Sequence, residues 1–174
     1  MTVTFVVRPA LTADLDHLVQ LQDRLFAEDA GAHGAFVDLG WPLREGEADL
    51  SGLIESPDAL VLIATAGREQ PTDPAGILVG YVSKPTPTRL PVDFAVLRGL
   101  YVISPLRSAG IGGAMIEAFF DWATDRGCVE AHVEAYAANE GAQRFYQRHG
   151  FEVRSLSRAR PLGSAGGNDR TGRS

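Results

Sequence analysis

The 174-residue chain reads as a single α/β domain built on a mixed sheet. Three observations predict this. Short β-branched apolar runs alternate with segments of helical period. The breaks between them are brief and rich in Gly, Pro, Asp and Thr. No repeat, linker or shift of composition divides the chain, and its length suits one ordinary core.

The elements follow in order. Val3–Arg8 is a β-branched run stopped by Pro9, and so a first strand. Thr12 is the expected N-cap of a first helix, with Asp14 and Asp16 in the turn where the helix dipole favours acids. Leu15, Leu18, Val19, Gln22, Leu25 and Phe26 carry that helix to about Ala30. A glycine-rich connector, Gly31–Pro42, precedes a weaker helix over about Leu43–Glu55, which buries Leu50, Leu53 and Ile54. Ala59–Ala66 and Ala75–Ser83 flank the turn-rich GREQPTDP and predict an antiparallel hairpin. Beyond the breaker KPTPTRLP, Val92–Val102 is a further strand.

Ile111, Ala114, Met115, Ala118, Phe119, Trp122 and Ala123 then keep i, i+3, i+4 spacing, and Gly127 stands where a C-cap glycine belongs. Val129–Tyr136 alternates, with Glu130, His132, Glu134 and Tyr136 on the polar face. Asn139 caps a short helix to His149, Gly150 ends it, and Phe151–Arg158 is the expected last strand. About four helices result. The domain is expected over residues 1–160, and the Gly/Ser/Arg-rich tail 161–174 has the composition of a disordered segment.

Composition narrows the classes. Hydrophobic residues make up 45% and charged residues 22%, which is globular and not disordered. The single cysteine, Cys128, excludes an internal disulfide framework and fits a reducing compartment. No apolar run approaches the ~20 residues of a membrane span, and MTVTFVVRPA lacks the charged lead of a signal peptide. The expectation is a cytoplasmic protein with neither a membrane nor a nucleic-acid partner, since the net charge is −6. The charge is unevenly placed: residues 1–60 hold 11 acids against Arg8, Arg24 and Arg44. Solvated helix faces account for such an excess, and so does a cleft that gathers cations.

The informative stretch is Leu100–Gly113, LYVISPLRSAGIGG, a strand end followed by a glycine turn and a helix. Its core is R-x-x-G-x-G, from Arg107 through Gly110 and Gly112. Such a turn leaves helix N-terminal N–H groups unpaired and pointing together, and the dipole there favours an anion. Arg107 adds a charge at the rim. A dinucleotide fingerprint fails because Met115 occupies its third glycine position, and no G-K-[ST] exists for a P-loop. The alternative is a tight turn whose glycines only allow close packing.

Some 25 residues beyond the loop stands N-E-G-A-Q-R-F-Y-Q-R-H-G-F, Asn139–Phe151. The pair, L-Y-V with R-x-x-G-x-G and then N-x-x-A-x-x-F-Y-x-x-x-G-F, strongly resembles the GNAT superfamily of N-acetyltransferases. Upstream the resemblance, from about Val3, is topological only. It implies a mostly antiparallel sheet with one parallel strand pair splayed at an acyl-CoA site. It also implies that Leu100, Tyr101 and Val102 bind the pantetheine arm through their main chain. The loop of Arg107, Ser108, Ala109, Gly110, Ile111, Gly112 and Gly113 would cradle the diphosphate. Asn139 matches an asparagine that contacts the cofactor, and Tyr146 the tyrosine that protonates the departing thiolate. No metal is implied.

The implied function is transfer of an acetyl group from acetyl-CoA to an amine by direct attack in a ternary complex. The other reading is an acyl-CoA sensor on the same fold. Two departures from the family pattern stand out. The strand before the loop, Ala95–Gly99, lacks the glutamate that often acts as base, which leaves Glu134 and Asp93 as replacements. The proline of V-I-S-P-L-R sits one place late. The first two helices and their connector, with His33, Phe36, Asp38 and Trp41, are expected to wall the acceptor site. Tyr146 shares a helix face with Ala142, Phe145 and His149 and so also suits a core role. Cys128 reads as a small core residue, and the final strands offer an edge for a homodimer.

Overall fold

Two continuous apolar runs form the centre of the sheet. In the computed structural model, which describes residues 4–34, 36–67, 72–88 and 90–160, β2 (Ala59–Gly67) and β3 (Asp73–Ser83) pair antiparallel. β1 (Thr4–Pro9) pairs antiparallel outside β2, and β4 (Phe94–Val102) antiparallel outside β3. β5 (Glu130–Val133) runs parallel to β4, so the order is β1-β2-β3-β4-β5. The expected mixed, mostly antiparallel sheet is the one observed.

Both faces of the sheet are covered, which explains why β2 and β3 carry apolar residues without alternation. Val61, Ile63, Ile77 and Val79 meet Leu18 of α1 (Leu15–Leu25) and Leu50 of α3 (Trp41–Glu55). Leu62, Ala64 and Leu78 meet Met115, Ile116 and Phe119 of α4 (Ile111–Asp125). Phe119 is fully buried, and its burial contributes about 2–3 kcal/mol. α5 (Glu140–Arg148) joins that face through Phe145 and Tyr146.

Four local expectations are corrected. The first helix is started by Asp14, not Thr12: its carboxylate accepts the Leu11 N–H at 2.8 Å and the Arg8 guanidinium at 2.7 and 2.8 Å. The same helix does not continue regularly to Ala30. Phe26–Ala30 widens into a π-turn and Gly31–His33 closes it as a single turn, α2. α3 begins two residues early, at Trp41, because Pro42 suits a first helical turn. Residues 151–160 form no strand. Phe151 packs against Phe120 and Tyr146 and Arg154 pairs with Glu130 at 2.6 Å, but Val153 and Leu156 are exposed, so the alternation has too few apolar residues to pair the segment with β5 as a strand. The edge expected to support a homodimer is therefore β5 alone. The tail 161–174 lies outside the described residues. Among the described residues no helix is long and apolar enough to cross a membrane.

Candidate active site

The site begins where β4 and β5 separate. They pair from Phe94 opposite Glu130 only as far as Leu97 opposite Val133. At that point Val79 of β3 faces Gly99 and Gly80 faces Leu97, so Arg98 is an extra, bulged residue of β4. A bulge bends its strand and ends regular pairing. β5 stops at Val133, and β4 runs on toward Val102 paired with β3 only. Ile103 donates to the Ala75 carbonyl at 2.9 Å. Antiparallel alternation then turns the peptide groups of Tyr101 toward β3, and those of Leu100 and Val102 toward the open side.

A cavity of about 400 Å³ occupies the splay. Gly99 and Leu100 of β4, Glu134 and Tyr136 beyond β5, Tyr146 of α5 and Asp29 of the π-turn all line it. Phe145 and Phe151 hold the Tyr146 ring edge-on, with centroids 5.5 and 5.6 Å away. Tyr146 is thus packed as a core aromatic and also lines the cavity. Its hydroxyl has no hydrogen-bond partner among the described residues. Burial first, and then the charge of Asp29, push its pKa up to about 12.

The glycine loop follows the open strand. Ser108 and Gly110 have φ of 67° and 90°, left-handed conformations that turn successive N–H groups to one side. The first N–H of α4 to bond along the helix is that of Ala114, to Gly110. Those of Ile111, Gly112 and Gly113 are left without helical acceptors, an anion cradle made of main chain. Close packing is also required here. A Cβ on Gly112 would stand 3.3 Å from the Phe145 ring, so the loop abuts the helix that carries Tyr146.

Arg107 is turned inward. Its Nε donates to the Val102 carbonyl at 2.9 Å, its guanidinium lies 5.4 Å from the Tyr101 ring centre, and its Nη2 pairs with Glu28. Tyr101 donates to the other Glu28 oxygen at 2.5 Å. Burial works to raise the Glu28 pKa, but these two hydrogen bonds outweigh it and hold the carboxyl low.

The remaining expected residues are dispersed. Asn139 is the N-cap of α5, its Oδ1 accepting from Ala142 at 3.0 Å, and its Nδ2 donates to Asp29 at 2.8 Å. Asp93 lies at the closed end of the splay, 3.0 Å from Lys84 and outside the cavity. The His33 ring lies tilted beside Tyr136 at 5.8 Å, Trp41 stacks on Phe26 at 5.9 Å, Asp38 pairs with Arg44, and Phe36 is fully exposed. The connector does cross the cavity, for a Cβ on Gly34 would meet the Tyr136 hydroxyl at 2.6 Å. Sequence reasoning missed Glu28, Asp29, Arg98 and Tyr136. Asp29 carried a signal, since it continues the apolar stripe of Leu18, Gln22 and Leu25 as an acid.

A second cavity, about 390 Å³, lies along β5 and holds Cys128 and His132 but none of β4 or Tyr146. Burial raises the Cys128 thiol, as does Asp93. Among the described residues no three His, Cys, Asp or Glu converge on a metal position.

An open parallel strand beside a main-chain anion cradle and a partnerless phenol is the geometry of an acyl-CoA-dependent acyltransferase. The family model described as the acetyltransferase (GNAT) family matches residues 21–151, and the chain belongs to that family. Its acyl donor is acetyl-CoA. A mutant of the BH1408 protein from Bacillus halodurans is similar in fold, with TM-score 0.75 and 17% identity over 90% of this chain and 99% of that one. The aminoglycoside N-acetyltransferase AAC(6')-Iy in complex with CoA gives TM-score 0.71 and 19% identity over 94% and 98%. An aminoglycoside acetyltransferase from an uncultured soil metagenomic sample gives 0.64 and 22% over 91% and 97%. No curated protein matches the sequence.

Proposed function

We propose that this protein transfers an acetyl group from acetyl-CoA to the primary amine of a cationic acceptor, by direct attack in a ternary complex in the cytoplasm. One observation carries the reading: the partnerless Tyr146 hydroxyl shares a cavity with the open main chain at the β4 bulge. The Ser108–Gly113 cradle receives the diphosphate, and Leu100 and Val102 hydrogen-bond the pantetheine arm as a neighbouring strand would. Strand N–H groups at the bulge polarise the thioester carbonyl.

The amine lone pair then attacks the carbonyl carbon, a C–N bond forms and the C–S bond breaks. Tyr146 gives its proton to the sulfur. A phenol with a pKa near 12 remains protonated throughout the neutral range, as a donor must. The attacking nitrogen sheds its proton to water or to Glu134, which lines the same cavity. Asp93 is engaged with Lys84 away from this point and takes no part. The aminoglycoside acetyltransferases among the structural neighbours support the acceptor class.

The test is release of free coenzyme A from acetyl-CoA across polyamines, aminoglycosides, amino acids and short peptides, with Tyr146→Phe as control. Turnover with cationic amines, lost in the variant, is expected. Tight acetyl-CoA binding without turnover on any amine would replace the reading by that of an acyl-CoA sensor.

A further inference from the structure

We propose that Asp29 selects the acceptor: its carboxylate takes a second ammonium group of a polyvalent amine, while another nitrogen of the same molecule reaches the splay beside Tyr146. The inference rests on the acetyl-transfer reading and narrows it to one residue and one class of acceptor.

The acidic first third of the chain sorts into three groups. Asp14, Glu28, Asp38, Asp49 and Asp58 are engaged in ion pairs with Arg8, Arg107, Arg44, Arg98, and Lys84 with Arg126. Asp16, Glu45, Glu47 and Glu55 are exposed, Asp23 is half-buried, and none of the five lines the cavity. Asp29 alone of the eleven lies at the cavity wall without an ion-pair partner among the described residues. Most of the acidic excess is thus a solvated surface. One carboxylate is not.

Asp29 is held as a recognition group would be. The π-turn Phe26–Ala30 carries it, and such turns often occur at functional sites. Asn139 grips it through Nδ2 at 2.8 Å, and is itself fixed by capping α5 through Oδ1. The grip orients the carboxylate without neutralising it, because the amide is uncharged. The one arginine at the cavity, Arg98, is drawn aside: its Nη1 lies 2.9 Å from Asp49, and its guanidinium 5.8 Å from the centre of the Trp41 ring. Glu134 adds a second acid that has no ion-pair partner among the described residues, and the aromatic residues Phe26 and Tyr136 line the same cavity. Carboxylates and aromatic rings around an otherwise uncompensated charge recognise a cation.

The cation cannot be the reacting nitrogen. A nitrogen paired with Asp29 is kept protonated and has no lone pair to attack the thioester. Selection through Asp29 therefore requires an acceptor with at least two amino groups, one bound and one free to react.

The experiment compares spermidine with n-hexylamine, by calorimetric titration into the coenzyme A-loaded protein and by steady-state acetylation, in wild type, Asp29→Asn and Asp29→Glu. Wild type is expected to prefer spermidine. Asp29→Asn should cut that preference on the order of 10–100-fold, the worth of a charge-assisted hydrogen bond, chiefly in Kd and KM and not in kcat. Asp29→Glu should restore part of it. Retained coenzyme A binding certifies that the variants fold.

Equal losses for both amines would mean that Asp29 only braces Asn139 and α5, and would overturn the inference. So would a wild type that does not bind spermidine. The two readings fail separately. Spermidine bound through Asp29, with no acetylation of any amine, removes the catalytic reading and keeps the site. Acetylation with an unchanged preference in Asp29→Asn keeps the reaction and removes the site.

Discussion

Between Leu100 and Gly113 the groups that face the site are peptide N–H and C=O groups; between Phe26 and Trp41 they are side chains. In the proposed reading the donor side uses the main chain because its task is general: a strand edge for an amide-bearing arm and a cradle for phosphate. What that task demands of the sequence is glycine at positions such as Gly110, where φ is 90°. On the same reading the acceptor side uses Phe26 and Asp29 of the π-turn, Val37 of a connector with no regular period and Tyr136 beyond β5, with Trp41 stacked behind Phe26. A general task leaves a compact motif, whereas a specific one leaves scattered residues.

The sharpest way to break this contrast is at Tyr146, where the proposed mechanism has a side chain serve the donor side. Tyr146→Phe should lower kcat on the order of 10²–10⁴-fold with acetyl-CoA affinity unchanged, read by steady-state kinetics beside a coenzyme A titration. The phenol's raised pKa also sets a sign. A donor is lost when it deprotonates, and Tyr146 does so only near pH 12. No fall of wild-type kcat between pH 7 and about 10 should therefore trace to this group. A basic limb in that range that vanishes in Tyr146→Phe would overturn the assignment.

Gly110 tests the main-chain half directly. A β-branched residue at φ of 90° costs about 1–3 kcal/mol of strain and displaces the N–H groups that follow. Gly110→Val should lower coenzyme A affinity at least about tenfold, an estimate from that strain, and lower the Tm. Spermidine binding should change less than coenzyme A binding. Equal loss of both would mean that the two halves fold as one unit and that the contrast is superficial.

The legibility of the two halves has a physical basis. Hydrophobic period placed the five strands and α1, α3 and α4 near their observed positions, because both faces of β2 and β3 and one stripe of each of these helices are buried, while the Asn139 cap and Gly150 placed α5. It misplaced Phe151–Arg158, where Phe151 is the only apolar residue that finds a partner. It also missed the π-turn, since one residue of slack in a helix leaves no composition mark. The β4 bulge was equally hidden: Arg98 looks like any polar residue of a strand until its register with β3 is known. Asp29 alone was visible in principle, as an acid on an apolar stripe.

Tyr101–Glu28 and Asn139–Asp29 cross from donor side to acceptor side by hydrogen bonds, and Glu28 forms an ion pair with Arg107 across the same boundary. Glu28 and Arg107 are both about half exposed, so the pair is worth no more than about 1 kcal/mol. Glu28 nevertheless competes with a phosphate for the same guanidinium. Glu28→Gln drops the charge and leaves one acceptor oxygen for Arg107, its amide N–H facing a Tyr101 hydroxyl that must turn to accept. Coenzyme A affinity should therefore rise up to about fivefold, the equivalent of that energy. A weaker affinity would show that Glu28 aims Arg107 and does not compete for it.

The smallest effect is expected at Cys128, which belongs to neither half. It lies in the second cavity, at the closed end of the sheet, and burial together with the charge of Asp93 holds it as a thiol. A nucleophilic thiol needs the opposite surroundings, positive and partly open, to populate its thiolate. Transfer should then proceed without an acetyl-cysteine. Cys128→Ser should keep kcat within about twofold, and rapid mixing of wild type with acetyl-CoA in the absence of amine should give no burst of coenzyme A. A burst equal to the enzyme concentration, abolished by the serine, would move the chemistry out of the splay and undo the division into donor and acceptor sides.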